Sequence, residues 1–284
     1  MKIISRRGFV KQATTLAAAT AAVSPAHLFA AGGAPKERPS IGVQLYSVRN
    51  DCQKDLPGTL NAIGKIGYKA VEFAGYYGRD AKTLRKLLDD AGLKCCGTHI
   101  HIPDLTGAEL EKTVEFNKTL GNSNLIVASM PPKKTKEDWE KAADFLSEVS
   151  EKVKPQGMRV GYHNHGVEFT PINGEMPWDI FFNRASKDVR IQYDIGNAAG
   201  GGADARVYLK KFPGRVVSTH VKPFSKSNPT ALIGQDDLPW SEIFNLCENV
   251  SGVEWYIIEY ELENEPPLVS IEKLRKIMCD LGKC

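Results

Sequence analysis

The segment Tyr162–Phe169, with the sequence YHNHGVEF, places two histidines and a glutamate close together in the chain. Imidazole nitrogens and carboxylate oxygens bind divalent metal ions, and the same groups transfer protons in acid–base catalysis. A buried structural cluster of hydrogen-bonded side chains would have the same composition. The segment alone therefore leaves three interpretations open: metal ligands, catalytic groups or a structural polar cluster.

Other side chains of the same kinds lie inside or at the ends of apolar segments elsewhere in the chain. They are Glu72, His99, His101, Asp194, His220, Lys222, Glu259 and Glu261. Such groups are costly to bury unless they are paired or bound to a metal ion. A single strand-end histidine is more often a hydrogen-bonded structural group. The repetition of the pattern, which includes every histidine of the chain except His27, favours one shared polar site.

Eight short apolar segments have the composition of β-strands, and amphipathic segments with helical spacing follow them. The predicted strands are Ile41–Ser47, Lys69–Gly75, Lys94–Ile100, Asn124–Met130, Arg159–His165, Arg190–Gly196, Arg215–Val221 and Trp255–Glu261. In the helix after the second strand, Asp80 is a predicted N-cap and Gly92 a predicted stop. Strand–helix alternation repeated eight times predicts a single α/β domain, a (β/α)8 TIM barrel. An open, doubly wound sheet is the alternative, but no G-x-G-x-x-G turn follows the first strand.

A barrel would bring these distant polar residues together, since active sites of this fold lie at the carboxyl ends of the strands. Alternation along a strand decides which side chains can reach the lumen. Glu259 and Glu261 share one face of the eighth strand, and His220 and Lys222 share one face of the seventh. Two or three carboxylates with one imidazole favour one Mn²⁺ or Mg²⁺ ion, with Co²⁺ or Zn²⁺ as alternatives. The cysteines have no C-x-x-C spacing, and the sequence leaves their disulfide pairing open.

The first 33 residues differ in character from the rest of the chain. The pair Arg6-Arg7 precedes a weakly apolar segment, Ala13–Val23, and small residues follow at positions 30–34. This order predicts a twin-arginine-type signal peptide at 1–33, a barrel at 34–284 and a periplasmic protein. The apolar segment is too short for a stable membrane anchor. The alternative is a disordered or helical tail on a cytosolic protein.

Composition argues against a nucleic-acid partner. The chain of 284 residues is 42% hydrophobic and 25% charged, which is typical of a soluble globular protein. The net charge is only +3, and no basic stripe with interleaved aromatic residues is present.

Eight segments, taken in order, resemble the xylose-isomerase-like sugar isomerase/epimerase barrels over residues 39–282. The matching segments are IGVQLYSVR, IGYKAVEF, GLKCCGTHI, YHNHGVEF, IQYDIGNAAGGGAD, GRVVSTHVK, PWSEIF and WYIIEYE. The resemblance implies one divalent metal ion held by a Glu, an Asp, a His and a second Glu from the last four strands. Asp194, His220 and Glu259 match three of these positions.

The fourth ligand position departs from the family pattern. Many relatives have Glu-Asn-His at the end of the fifth strand, where this chain has His163-Asn164-His165. Two candidates follow from the resemblance, and Glu168 is preferred over His163 because a carboxylate can also serve as a base. The family also includes DNA-repair endonucleases that need a histidine three residues past the sixth-strand Asp. Asn197 occupies that position here, which again predicts one metal ion and no DNA.

The resemblance implies proton abstraction next to a carbonyl of a carbohydrate through a metal-stabilised enediolate, catalysed by Glu168 and Glu259. The residues expected to contact the substrate are Glu72, His99, His163, His165 and Lys222. Isomerisation or epimerisation of a non-phosphorylated sugar is the first expectation. A lyase that eliminates a group from a 3-keto-glycoside is the first alternative, and a non-catalytic carbohydrate-binding barrel is the second. The sequence leaves the oligomeric state open.

Overall fold

The computed structural model describes residues 38–131, 133–262 and 264–284, so the predicted signal peptide lies outside the described residues. Eight parallel strands form a closed barrel in which each strand pairs with the next and β8 pairs with β1. The strands are β1 (Ser40–Gln44), β2 (Ala70–Phe73), β3 (Lys94–Ile100), β4 (Asn124–Val127), β5 (Arg159–His163), β6 (Arg190–Asp194), β7 (Val216–Val221) and β8 (Trp255–Ile258). The predicted barrel is confirmed.

All eight strands lie where the apolar segments predicted them, but most are shorter at the carboxyl end. The fifth strand ends at His163 rather than His165, and the eighth ends at Ile258 rather than Glu261. The chain enters a 3-10 turn directly after β1 and a helix, Ile195–Gly200, directly after β6, although the apolar pattern of the sequence continues. Several candidate site residues therefore stand just after a strand instead of within it.

Helices surround the barrel. They are α1 (Arg49–Ile66), α2 (Ala81–Asp90), α3 (Gly107–Leu120), α4 (Lys136–Val153), α5 (Pro177–Arg184), α6 (Ile195–Gly200), α7 (Ala205–Lys211), α8 (Trp240–Leu246) and α9 (Pro267–Asp280). Asp80 caps α2 as predicted, because its Oδ1 accepts a hydrogen bond of 3.0 Å from the Thr83 amide. Helix α1 ends at Gly67, whose φ of 103° suits a residue without a side chain.

Two different environments lie on the two sides of the strands. The outward side chains pack against the helices in one continuous apolar core that includes Tyr162, Trp178 and Phe181. Inside the barrel, Ala70, Cys96 and Ile257 form a separate small apolar cluster. Ala70 and Ile257 lie two residues before Glu72 and Glu259, so each pair shares one face of its strand. The lumen thus changes from apolar to polar toward the carboxyl ends of the strands.

A disulfide joins Cys279, near the end of α9, to Cys284 at the end of the chain. The four cysteines at positions 52, 95, 96 and 247 are buried free thiols. Among the described residues, no helix has the length and apolar character needed to cross a membrane.

Candidate active site

The last four strands bring four buried side chains together at the barrel mouth. They are His163, Asp194, His220 and Glu259, and one ligand atom from each lies within 4.8 Å of the other three. The first three end or lie near the end of β5, β6 and β7, and Glu259 directly follows β8. We call these four residues the ligand cluster.

The ligand cluster contains one carboxylate oxygen, Asp194 Oδ2, that is shielded from solvent. Asp194 Oδ1 accepts a hydrogen bond of 2.7 Å from the Asn197 amide, but Oδ2 is buried and has no hydrogen-bond partner among the described residues. This oxygen is 3.8 Å from both His163 Nε2 and His220 Nδ1. Burial raises the pKa of Asp194 to about 7, and the charge of Glu259 adds to this effect while that of Lys222 opposes it. A divalent cation would satisfy the bare oxygen, so these residues fit a metal site.

His220 lies between two carboxylates. Its Nδ1 is 2.5 Å from Glu259 Oε2, and its Nε2 is 2.7 Å from Glu72 Oε2. Burial acts to lower the pKa of His220, but the charges of Glu259 and Glu72 outweigh it and raise the pKa to about 10. Since Glu72 engages Nε2, the nitrogen that faces the ligand cluster is Nδ1.

Glu72 lies beneath His220 and has no solvent-exposed area. Its oxygens accept hydrogen bonds from Gln44 Nε2 at 2.8 Å and from Gln192 Nε2 at 2.7 Å. Burial acts to raise the pKa of Glu72, but the adjacent His99 and His220 outweigh it and hold the pKa well below its usual range. Gly97 provides the space, because a Cβ atom there would lie 2.4 Å from Glu72 Oε1. Glu72 was expected to contact the substrate; in the structure it contacts protein groups that orient the histidines.

Gln192 fixes the orientation of His163. Its amide nitrogen faces the Glu72 carboxylate, so its Oε1 must accept from both His163 Nδ1 and His99 Nε2, each at 2.9 Å. Burial lowers the pKa of His163 well below its ordinary value, and the neighbouring histidines add to this effect. His163 is therefore a neutral imidazole that donates from Nδ1 and presents the Nε2 lone pair toward Asp194.

Glu168, the preferred fourth ligand, lies outside the ligand cluster. It belongs to a short 3-10 turn, Val167–Phe169, and is almost fully buried. Its two oxygens accept hydrogen bonds from the Tyr162 hydroxyl and, at 2.8 Å, from the His165 amide. The structure thus places His163, not Glu168, beside Asp194, because the turn folds the glutamate back onto β5.

Three of the predicted substrate-binding residues lie around the ligand cluster. His165 is exposed, and its ring centroid is 5.1 Å from that of His163. Lys222 forms an ion pair with Glu261, and Asp194 and Glu259 outweigh the effect of burial to raise its pKa. His99 keeps 13% of its side chain exposed. All three remain available to a bound molecule.

Sequence reasoning missed the polar groups that hold the ligand cluster in place. Asn164 accepts from the Asp194 amide at 2.9 Å and donates to the Asp194 carbonyl at 3.0 Å, which joins the ends of β5 and β6. Gln44, Gln192 and Ser218 extend the network below. A signal was present, since Gln192 and Ser218 each precede a predicted ligand by two residues and so share its face.

Together these groups provide a neutral imidazole, an imidazole between two carboxylates, and a buried carboxylate oxygen around one point of a TIM-barrel mouth. A family model described as xylose isomerase-like TIM barrel matches residues 60–278. The chain belongs to the xylose isomerase-like TIM barrel family.

Proteins that resemble the chain carry several different names. An inosose dehydratase of Bacillus thuringiensis (strain Al Hakam) is 24% identical over 254 residues, which covers 74% of this chain and 83% of the relative. A sugar phosphate isomerase/epimerase of Parabacteroides distasonis ATCC 8503 has a TM-score of 0.74 at 23% identity, covering 86% of this chain and 98% of that structure. An L-ribulose 3-epimerase has a TM-score of 0.65 at 15% identity, covering 86% of this chain and 94% of that structure. The two structural matches support the fold.

Proposed function

We propose that this protein is a divalent-metal-dependent enzyme that removes a proton next to a ketone of a non-phosphorylated carbohydrate and then eliminates an oxygen substituent β to that ketone. This proposal ranks the lyase alternative above isomerisation or epimerisation. The supporting observation is that Glu168, the expected partner of Glu259 in proton transfer, is buried and already bonded to its own loop, whereas Glu259 keeps part of its side chain exposed beside the ligand cluster.

The ligand cluster is the metal site of this proposal, with His163 Nε2, Asp194 Oδ2, His220 Nδ1 and Glu259 Oε2 as ligand atoms. When bound, the ion supplies Lewis-acid stabilisation of the negative charge that develops on a ketone oxygen. Two imidazoles with two carboxylates favour Mn²⁺, Co²⁺ or Zn²⁺ over Mg²⁺, because imidazole is a poor ligand for Mg²⁺. The sequence analysis ranked Mg²⁺ together with Mn²⁺ because it expected two or three carboxylates with only one imidazole.

Glu259 is the base in this proposal. Among the buried carboxylates of the site it keeps 8% of its side chain exposed, whereas Glu72 and Asp194 keep none. It takes the proton from the carbon next to the ketone, and the C–H electron pair becomes a carbon–carbon double bond. Lys222 or His165 gives a proton to the departing oxygen, which leaves as water or an alcohol.

Elimination needs one base and one acid, whereas epimerisation needs a second group that returns the proton to the opposite face. Glu168 was expected to fill that role, and its two hydrogen bonds to Tyr162 and His165 oppose it. The name inosose dehydratase of the matching relatives also supports elimination, since a dehydratase removes water.

The first experiment measures metal content and proton exchange together. Purified protein is expected to hold about one transition-metal ion per chain by mass spectrometry, and Asp194→Ala and His220→Ala are expected to lose it while keeping their circular dichroism spectra. His101→Ala is the matched control, since His101 is exposed and lies outside the ligand cluster. Unchanged metal content in both cluster variants would contradict the site.

The second part tests the reaction in deuterated water with 3-keto-glycosides and free keto-sugars. Release of the leaving group together with an unsaturated ketone is expected. Solvent deuterium at carbon without release would instead support the isomerase or epimerase alternative. Metal-free protein that binds the sugars without exchange would support the non-catalytic barrel.

Export remains part of the proposal. A twin-arginine-type signal would deliver the folded barrel to the periplasm, and the Cys279–Cys284 disulfide suits an oxidising compartment. Phosphorylated sugars are mainly cytosolic, which is the reason for proposing a non-phosphorylated substrate. Replacing Arg6 and Arg7 with lysine is expected to retain the protein in the cytoplasmic fraction, and unchanged fractionation would refute this route.

A further inference from the structure

A cavity of about 540 Å³ adjoins the ligand cluster on one side of the barrel mouth. It lies between the loop that follows β4 and the loop that follows β5. Its lining includes Met130, Lys133, Trp139, His165, Val167 and Ile172. Neither the metal site nor the proposed proton transfers use most of these residues.

His165 links the cavity to the proposed active site. It is part of the cavity lining, and its ring lies 5.1 Å from that of His163 in the ligand cluster. Glu168 also lines the cavity, and its bond to the His165 amide fixes this loop. A substituent that passes His165 from the ligand cluster would enter the cavity.

The size of the cavity argues against water as the leaving group. A water molecule occupies about 30 Å³ of liquid volume, whereas pockets for organic ligands measure roughly 300–1,000 Å³. At about 540 Å³, the cavity suits a ring-sized substituent.

The lining favours an aromatic substituent over a second sugar. Met130, Val167 and Ile172 present apolar atoms, and Val167 is 64% exposed. Thioether and aliphatic groups pack well against aromatic faces. Ser129 and Thr170 also line the cavity, so the preference rests on the apolar contacts and not on a lack of polar groups.

One charged group of the lining suits an oxygen-bearing ring. Lys133 adds a positive charge to the cavity wall. This charge favours a ligand with a hydrogen-bond acceptor or a developing negative charge, such as the oxygen of a phenol.

We propose that this cavity is an aglycone subsite that binds the aryl group of an aryl 3-keto-glycoside. The inference rests on the proposed elimination and names its substrate class. The proton on C2, next to the ketone at C3, is removed, and its electron pair forms the C1–C2 double bond. The C1–O bond breaks toward the aglycone oxygen, which takes a proton and leaves as a phenol. The other product is an unsaturated ketone, and no oxidant or reductant is needed.

The kinetic test compares phenyl and methyl 3-keto-glucosides, as both anomers, on the metal-loaded enzyme. The ratio of kcat/KM for phenyl over methyl is expected to exceed about 10 after correction for the leaving-group pKa, and to fall roughly 10-fold in Val167→Asp and Met130→Ala. Val207→Asp is the matched control, because Val207 is also an exposed large apolar residue but lies on α7. An unchanged ratio in both cavity variants, or a preference for a 3-keto-disaccharide over the phenyl compound, would overturn the subsite.

A binding measurement separates this inference from the proposed function. Unreactive phenyl glucoside is titrated calorimetrically into the same proteins, with methyl glucoside as the reference. Binding of phenyl glucoside that Val167→Asp weakens and Val207→Asp does not would support the subsite even if no keto-glycoside is cleaved. Equal affinities for the two glucosides in the unmodified protein would remove the subsite even if elimination is observed.

Discussion

At the scale of single residues, His163 decides the character of the ligand cluster. The family resemblance implies a glutamate at this position, and Gln192 holds His163 as a neutral imidazole with Nε2 directed toward Asp194. A nitrogen ligand at this position favours later transition metals over Mg²⁺. In the proposed metal site, His163 and the amide that orients it therefore favour these metals over Mg²⁺.

His163→Glu is expected to retain a metal ion but to shift its preference. A carboxylate is a better ligand for Mg²⁺ and Mn²⁺, so the affinity ratio of Mg²⁺ to Zn²⁺ should rise by roughly 10-fold or more. Calorimetric titration of the metal-free protein with each ion measures this ratio, and His101→Glu serves as the exposed control. An unchanged ratio would show that His163 is not a ligand.

Glu72→Gln tests a residue that acts through His220. The amide keeps the shape of the side chain but removes the charge that, together with Glu259, raises the pKa of His220. Metal affinity is expected to fall by about 10- to 100-fold, and the pKa of His220 measured by nuclear magnetic resonance should fall as well. Glu261→Gln at the exposed rim should leave both quantities unchanged; a merely structural Glu72 would leave the pKa of His220 in place.

At the scale of elements, the register between β5 and β6 determines whether the ligands meet. Asn164 makes two hydrogen bonds to the backbone of Asp194, and its own backbone carbonyl accepts from Asn197 at 3.2 Å. These bonds position the first turn of α6, which Asp194 caps. One buried amide thus links two strands and a helix at the site.

Asn164→Ala is expected to lower the free energy of unfolding by about 2–3 kcal/mol, because two buried backbone groups lose their partners. Metal affinity should fall in parallel, since Asp194 loses its fixed position. Asn249→Ala is the control, because Asn249 is exposed and bonds only within its own helical turn, so a change within about 0.5 kcal/mol is expected. Urea unfolding measures the free energy of unfolding of both variants. An equal decrease in the Asn164 and Asn249 variants would disprove the role of Asn164.

At the scale of the whole molecule, the barrel concentrates ionisable groups in a place that is costly to charge. Asp194 and His220 both have pKa values raised above their ordinary values of 3.8 and 6.5, to about 7 and about 10. The folded, metal-free protein therefore holds protons that the unfolded chain has released. These two groups contribute most to the free energy of unfolding at low pH. The contribution of Asp194 is lost as pH rises through about 7, and that of His220 as pH rises through about 10.

Metal binding should reverse this trend. A divalent ion binds the deprotonated ligands, so metal uptake should release protons and its apparent affinity should rise with pH. The gain in Tm from added metal over chelator-treated protein is expected to grow between about pH 6 and pH 9. Asp194→Asn should flatten the part of this dependence near pH 7, and a metal-induced gain that is constant over this range would contradict the assignment.

Much of the fold could be predicted because each strand and helix carries its own local signal. Apolar segments located all eight strands, and Asp80 marked the start of a helix, which the structure confirms. Asp194, His220 and Glu259 were among the polar residues that the sequence analysis placed at strand ends. A charged group at the end of an apolar strand is costly to bury, so it indicates a polar site. The network of Gln44, Gln192 and Asn164 was missed because amides in strands carry a weak individual signal.

The sequence by itself determined the barrel, the end of the barrel where the site lies, and three of the four members of the ligand cluster. The barrel and the place of the site follow from periodicity and from the free-energy cost of burying charge, whereas the three ligand positions followed from the family resemblance. Only the tertiary structure showed that His163, and not Glu168, lies beside Asp194, and only it revealed Glu72 beneath His220 and the cavity beside His165. The physical reason is that these outcomes depend on where a loop folds back and which partners occupy each lone pair, and the residues concerned are up to 148 positions apart in the chain.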